Sequence, residues 1–90
     1  MFAFPDIYTT VSILIGFSMK KKEKILVTFG NRIREERLKL GISQEELAAR
    51  AGVHRTYIGM IERAEKNITL INIERVAQAL GFTVSELTNL

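Results

Sequence analysis

From Val27 to the C-terminus the apolar residues recur every three or four positions, the period of helices with one face buried. The first run, from about Val27 to Leu40, sets Phe29, Ile33 and Leu40 inward with Arg37 on the same side, and Gly41 ends it. A second run opens at Ser43, with Glu46 three residues on as in a capping box. Leu47, Ala48 and Ala51 share its inner face, and Gly52 supplies a left-handed residue for a turn that Val53 plugs. The third run restarts at His54, with Ile58 and Ile61 inward and Arg55, Thr56, Gly59, Met60 and Arg63 outward. After a link over residues 64–68, Thr69 caps a fourth helix whose Leu70, Ile73, Val76, Ala77 and Leu80 form a stripe ended by Gly81. Thr83 and Glu86 repeat the capping-box spacing and open a short fifth helix with Val84, Leu87 and Leu90. The expected fold is all-α, five helices, with Ile33, Leu40, Ile42, Leu47, Ala48, Ile58, Ile61, Ile73, Val76 and Leu80 in the core.

The first 18 residues break this pattern. Ile7, Thr9, Val11, Ile13, Ile15 and Phe17 alternate with Tyr8, Thr10, Ser12, Leu14 and Gly16, a period of two rich in β-branched side chains, so a strand is expected. The run lacks a basic segment ahead of it and is too short to span a membrane, so neither a secretory signal nor an anchor is expected. A lone strand leaves its backbone groups unpaired, which makes it either an arm for another chain or a piece that packs on the domain or stays without order. Met19 is an alternative translation start, on which reading residues 1–18 have no role. The chain thus divides into an N-terminal extension, 1–24, and a helical domain, 25–90.

Ninety residues with 47% apolar composition make one small domain whose core is marginal and commonly leans on a second subunit. A helix that ends in Val84, Leu87 and Leu90 offers apolar surface for such a partner, so a homodimer through the fifth helix and the end of the fourth is expected. There is no cysteine, hence no disulfide framework and no thiolate metal site, which fits a cytoplasmic protein. The formal charge is +3, and the four lysines and one glutamate of residues 19–24 account for all of it. Net charge is therefore a weak pointer to nucleic acid, and position matters more. The cluster Lys20 to Lys24 either neutralises phosphates or is a solvated linker.

Two short helices about the turn Ala51-Gly52-Val53 make a helix-turn-helix pattern, which presents the outer face of its second helix to a DNA major groove. Arg55 can then fork to guanine, Thr56 can touch a thymine methyl or donate to a base, and Met60 can only make apolar contact. Gly59 either lets the backbone sit close to the groove or simply weakens the helix. Gln44, in the first turn of the second helix, lies where free amides and the dipole favour a phosphate. The sole histidine, His54, is a helix-start or phosphate contact, and Tyr57 either reaches a phosphate or packs its ring on the domain. Neither a nucleophile, a paired acid and base, a metal-ligand cluster nor a phosphate loop is present, so no catalysis, metal or cofactor is expected.

Three segments resemble the lambda-repressor-like helix-turn-helix family: Gly41-Ile-Ser-Gln-Glu-Glu-Leu-Ala48, the turn Ala51-Gly52-Val53, and Ala79-Leu-Gly-Phe-Thr-Val-Ser-Glu-Leu87. Within it, Arg55-Thr56-Tyr57-Ile58, Ile61-Glu62-Arg63 and Lys66-Asn67 with Thr69 are most similar to controller proteins of restriction–modification operons. The resemblance implies a partly buried structural ion pair between Arg37 and Glu62, and phosphate contacts from Arg63, Lys66 and Asn67. It also exposes a departure, since Ala64 and Ile68 stand where the family usually has glycine and often has proline. If Ala64 takes a positive φ, it carries strain on the order of 1 kcal/mol. The expected function is a sequence-specific, homodimeric transcription regulator of double-stranded DNA with a near-palindromic operator, its reading helices about 34 Å apart. No small-molecule ligand and no membrane partner are expected. The alternative is an antitoxin-type interaction module that also binds its own operator.

Overall fold

A computed structural model describes residues 22–90, so the expected strand and the lysines before Lys22 lie outside the described residues. Five helices follow in order: α1 Lys24–Lys39, α2 Gln44–Ala51, α3 Arg55–Glu62, α4 Leu70–Leu80 and α5 Val84–Leu87. Among the described residues there is no strand, and no helix is long and apolar enough to cross a membrane. The first helix starts three residues earlier than expected. The Glu23 carbonyl accepts from the amides of Leu26 and Val27, although its side chain makes no cap.

One core gathers the inward faces: Phe29 and Ile33 of α1, Leu47, Ala48 and Ala51 of α2, Ile58 and Ile61 of α3, Val76, Ala77 and Leu80 of α4, and Leu87. In this arrangement α2 packs on both α3 and α4, α1 lies on α3, and α5 closes on α4. Ile42 and Ile73 are half-buried against the core. Leu40 is not in it. The α1 stripe ends at Arg37, and Leu40, one residue past the helix, is left 48% exposed.

The expected interface residues also divide. Leu87 has no exposed surface, so it belongs to the protomer's interior and cannot touch a partner; burial of a leucine stabilises the fold by about 1.5–3 kcal/mol. Val84 is half-buried, and only Leu90 stays largely open. Bare apolar surface lies instead at the starts of α1 and α4, on Ile25, Leu70 and Ile71. Ile25 and Leu90 line one groove with Leu26, Phe29, Ile68 and Ile73.

The two capping-box signatures fold differently. Thr83 Oγ1 accepts from the Glu86 amide at 3.1 Å while the Glu86 carboxylate accepts from the Thr83 amide at 2.9 Å, which completes the box. At Ser43 only half forms. Its Oγ accepts from the Glu46 amide at 3.0 Å, but the Glu46 carboxylate turns along the helix to Arg50 at 2.9 Å. An arginine one turn on competes for the carboxylate, and α5 has no such residue. Thr69 caps α4 as expected, accepting from the Asn72 amide at 3.2 Å.

Candidate nucleic-acid interface

The short helix α3 is held from behind in two ways. Gly30 of α1 lies so close to its last turn that an added Cβ would fall 2.4 Å from the Ile61 carbonyl oxygen and 3.0 Å from that of Glu62. Only glycine admits this approach, because the obstacle is backbone and cannot swing aside. Nothing in the spacing of α1 marked Gly30 for that role, since a helical glycine alone gives no sign of what crosses it.

The second attachment is the pair expected from the resemblance. Arg37 Nε donates to Glu62 Oε2 at 2.7 Å and Nη2 donates to Oε1 at 3.0 Å, while Nη1 donates to the Ile42 carbonyl at 2.9 Å. Both side chains are almost wholly buried, so the two-bond geometry offsets the cost of taking the charges out of water. Gln44 joins this network, its Nε2 donating to Glu62 Oε1 at 3.0 Å. The end of α3 is thereby tied to α1 and to the first turn of α2. Sequence reasoning placed Gln44 at a phosphate and missed this structural bond; one amide hydrogen and the free backbone amides of that turn remain for an anion.

The start of α3 is set by His54. Its Nδ1 accepts from the Thr56 amide at 3.0 Å, which makes it the N-cap and leaves Nε2 as the ring's donor. The first turn then carries Arg55 and Thr56 outward, both exposed. Arg55 Nη1 lies 3.7 Å from Glu45 Oε1 in an ion pair open to water on both sides. Met60 is half-buried one turn on. Gly59 faces outward but is covered, since an added Cβ would sit 3.1 Å from Arg63 Nη1 and 3.4 Å from Gln44 Oε1. The missing side chain lets those two long side chains lie across the helix. Together Ser43, Gln44, Glu45, Arg55, Thr56, Gly59 and Arg63 line a shallow concave patch.

Tyr57 takes the packing alternative: its ring is half-buried on the core, and its hydroxyl oxygen accepts from Asn72 Nδ2 of α4 at 3.1 Å. The phenolic hydrogen is still free to donate. Beyond α3, Arg63 pairs with Glu65 at 3.1 Å, and the Arg63 guanidinium holds the Glu65 carboxyl below the ordinary carboxylate range. The Arg63 carbonyl accepts from Lys22, which brings the end of the lysine cluster to this loop. Lys66 is exposed on the loop, whereas Asn67 lies beside the apolar groove rather than the patch. Ala64 has φ 61°, the left-handed conformation anticipated for a site where glycine is usual, and is the sole non-glycine among the described residues to adopt it.

Known proteins share this arrangement. The family model described as helix-turn-helix matches residues 33–87. The control protein C.BamHI of Bacillus amyloliquefaciens is 45% identical over 64 residues, 70% of this chain and 79% of that one. The control protein C.MunI of a Mycoplasma species is 41% identical over 64 residues, 70% of this chain and 86% of that one. Among solved structures, the restriction–modification controller protein C.AhdI from Aeromonas hydrophila superposes with a TM-score of 0.67 at 47% identity, covering 69% of this chain and 90% of that one. The controller C.Esp1396I, solved as a tetramer with its natural 35 base-pair operator, gives a TM-score of 0.69 at 30% identity over 73% of this chain and 87% of that one. With the helix pair, the buried Arg37–Glu62 tie and the αL turn at Gly52 in place, the chain belongs to the helix-turn-helix family to which these control proteins belong.

Proposed function

We propose that the protein is a sequence-specific DNA-binding transcription regulator of the restriction–modification controller type, working inside the cell as a homodimer on a near-palindromic operator. The observation that carries this reading is the contrast within α3: its inner side is fixed by Gly30 and by the Arg37–Glu62 pair, while Arg55 and Thr56 are exposed on its outer side. A rigid helix with an exposed arginine at its start is what reading base edges in a major groove requires. The control-protein relatives favour this reading over the antitoxin alternative.

Arg55 is assigned the fork to guanine, Thr56 a base or thymine methyl, and Met60 an apolar contact, while Gly59 is left to making room for Arg63 and Gln44 across the helix. Gln44, His54 through Nε2, Arg63 and Lys66 are assigned to phosphates, whereas Tyr57 is left to packing on the domain and Asn67 to the apolar groove. The homodimer is assigned to the apolar surface at the starts of α1 and α4, with Leu90, rather than to Leu87. A neighbour that assembles as a tetramer on its operator makes two dimers side by side a natural extension.

Footprinting on the DNA upstream of its own gene tests the reading, and two protected half-sites one helical turn apart are expected. Arg55→Ala is expected to lose about 1–3 kcal/mol on the protected site and almost nothing on random DNA, whereas Lys66→Ala weakens both and lowers the salt slope by about one unit. Equal loss on specific and random DNA in Arg55→Ala would remove Arg55 from base reading.

A further inference from the structure

The Arg55–Glu45 ion pair gives Arg55 a partner before any DNA arrives. Glu45 lies in the first turn of α2, 74% exposed, with its Oε1 3.7 Å from Arg55 Nη1, and among the described residues it has no other ion-pair partner. Its neighbour Glu46 is spent on Arg50 at 2.9 Å. An exposed pair of this length does little for the fold. Its effect is on where the arginine points. The guanidinium is a planar fork with five donors, so Nη1 can stay near Glu45 while other donors engage a second group. A carboxylate on the same patch repels phosphate, whose oxygens are the competing acceptors for any free arginine on DNA.

We infer that Glu45 is a specificity-determining residue for the DNA reading proposed above: its carboxylate positions the Arg55 guanidinium for a base edge and keeps it from phosphates of unrelated sequence. The inference rests on that reading. At a guanine, the N7 and O6 acceptors take two donors while Glu45 retains a third. On random DNA the arginine would have to leave Glu45 for a phosphate and bring that phosphate toward a negative charge. Glu45 therefore opposes non-specific contact more than specific contact.

The test uses the full chain, a duplex that the protein itself enriches from a random pool, and a scrambled duplex of the same composition, titrated over a series of salt concentrations. Glu45→Gln is expected to tighten binding to the scrambled duplex about two- to fivefold, the range set by an exposed ion pair, and to leave the enriched duplex unchanged or weaker. The ratio of the two affinities falls accordingly. Glu46→Gln removes the same charge from the same turn without touching Arg55, and is expected to shift both duplexes alike with the ratio kept. In an Arg55→Ala background, Glu45→Gln should no longer change the ratio. The inference is overturned if Glu45→Gln moves both duplexes by the same factor, or if its effect on the ratio survives the loss of Arg55. Absence of salt-dependent binding to any duplex would overturn the DNA reading itself, and this inference with it, which keeps the two failures apart.

Discussion

Two faces of the protomer are finished to different degrees. Behind α3, polar groups are satisfied inside the chain: Arg37 makes three donor contacts, Glu62 accepts from both Arg37 and Gln44, and the helix backbone rests on Gly30. At the starts of α1 and α4, Ile25, Leu70 and Ile71 are each 60% or more exposed, and Leu90, which shares a groove with Ile25, is half open. On the first face the buried Arg37–Glu62 pair is satisfied within the chain. The second is apolar surface of the kind that marks an interface, and it is the face to which the proposed homodimer is assigned.

The largest expected effect breaks the first face. Arg37→Ala strands the Glu62 carboxylate in the interior and should cost about 3–5 kcal/mol in urea unfolding, against little for an exposed arginine. A loss below about 1 kcal/mol would mean that Gln44 alone satisfies Glu62. Gly30→Ala pushes α1 off the last turn of α3 and should cost about 1–3 kcal/mol by the same measurement, with α3 shifted in a crystal structure. The second face should respond in the opposite manner. Replacing Leu70 and Ile71 together by lysine should turn dimers into monomers in sedimentation, while the unfolding free energy of the protomer stays within about 0.5 kcal/mol, as for exposed sites in general. A dimer that survives the double change would move the interface elsewhere. The smallest effect belongs to neither face. Ala64→Gly relieves a positive φ but gives up a buried methyl, and a net gain of about 0.5 kcal/mol is expected from thermal unfolding.

Much of the helical framework could be read in the sequence, and the reason is local. Caps, glycine stops and a 3.6-residue stripe act within one helix, so Thr69, Gly52, Gly81 and the α4 stripe from Ile73 to Leu80 lie as their spacing predicts, whereas Leu70, expected at the head of that stripe, is 72% exposed. The glycine usual at position 64 announced the positive φ of Ala64, and the Arg37–Glu62 pair was legible only through the family resemblance. What the spacing hid depends on elements meeting in space. Leu40 fits the α1 stripe but lies beyond the end of what α3 covers. Leu87 is buried because α5 folds back onto α4, so an apolar residue near the C-terminus became core rather than surface. Gln44 and Gly30 carry no pattern at all. Each owes its role to the crossing of α3, which no single helix announces. The Glu46 carboxylate shows the same limit at short range, since two local rules claimed it and the arginine at position 50 won.

The attachments of α3 have an evolutionary consequence. Gly30 meets carbonyl oxygens, and Arg37 meets a glutamate on the inner side of the last turn, so nothing that fastens the helix involves the identities of residues 55, 56 or 60. Mounting and message are written in separate letters. Such a helix works like type in a holder: if Arg55, Thr56 and Met60 read the operator as proposed, they can be exchanged to follow its drift while the scaffold goes on folding, so new binding sites lie within reach of one or two substitutions.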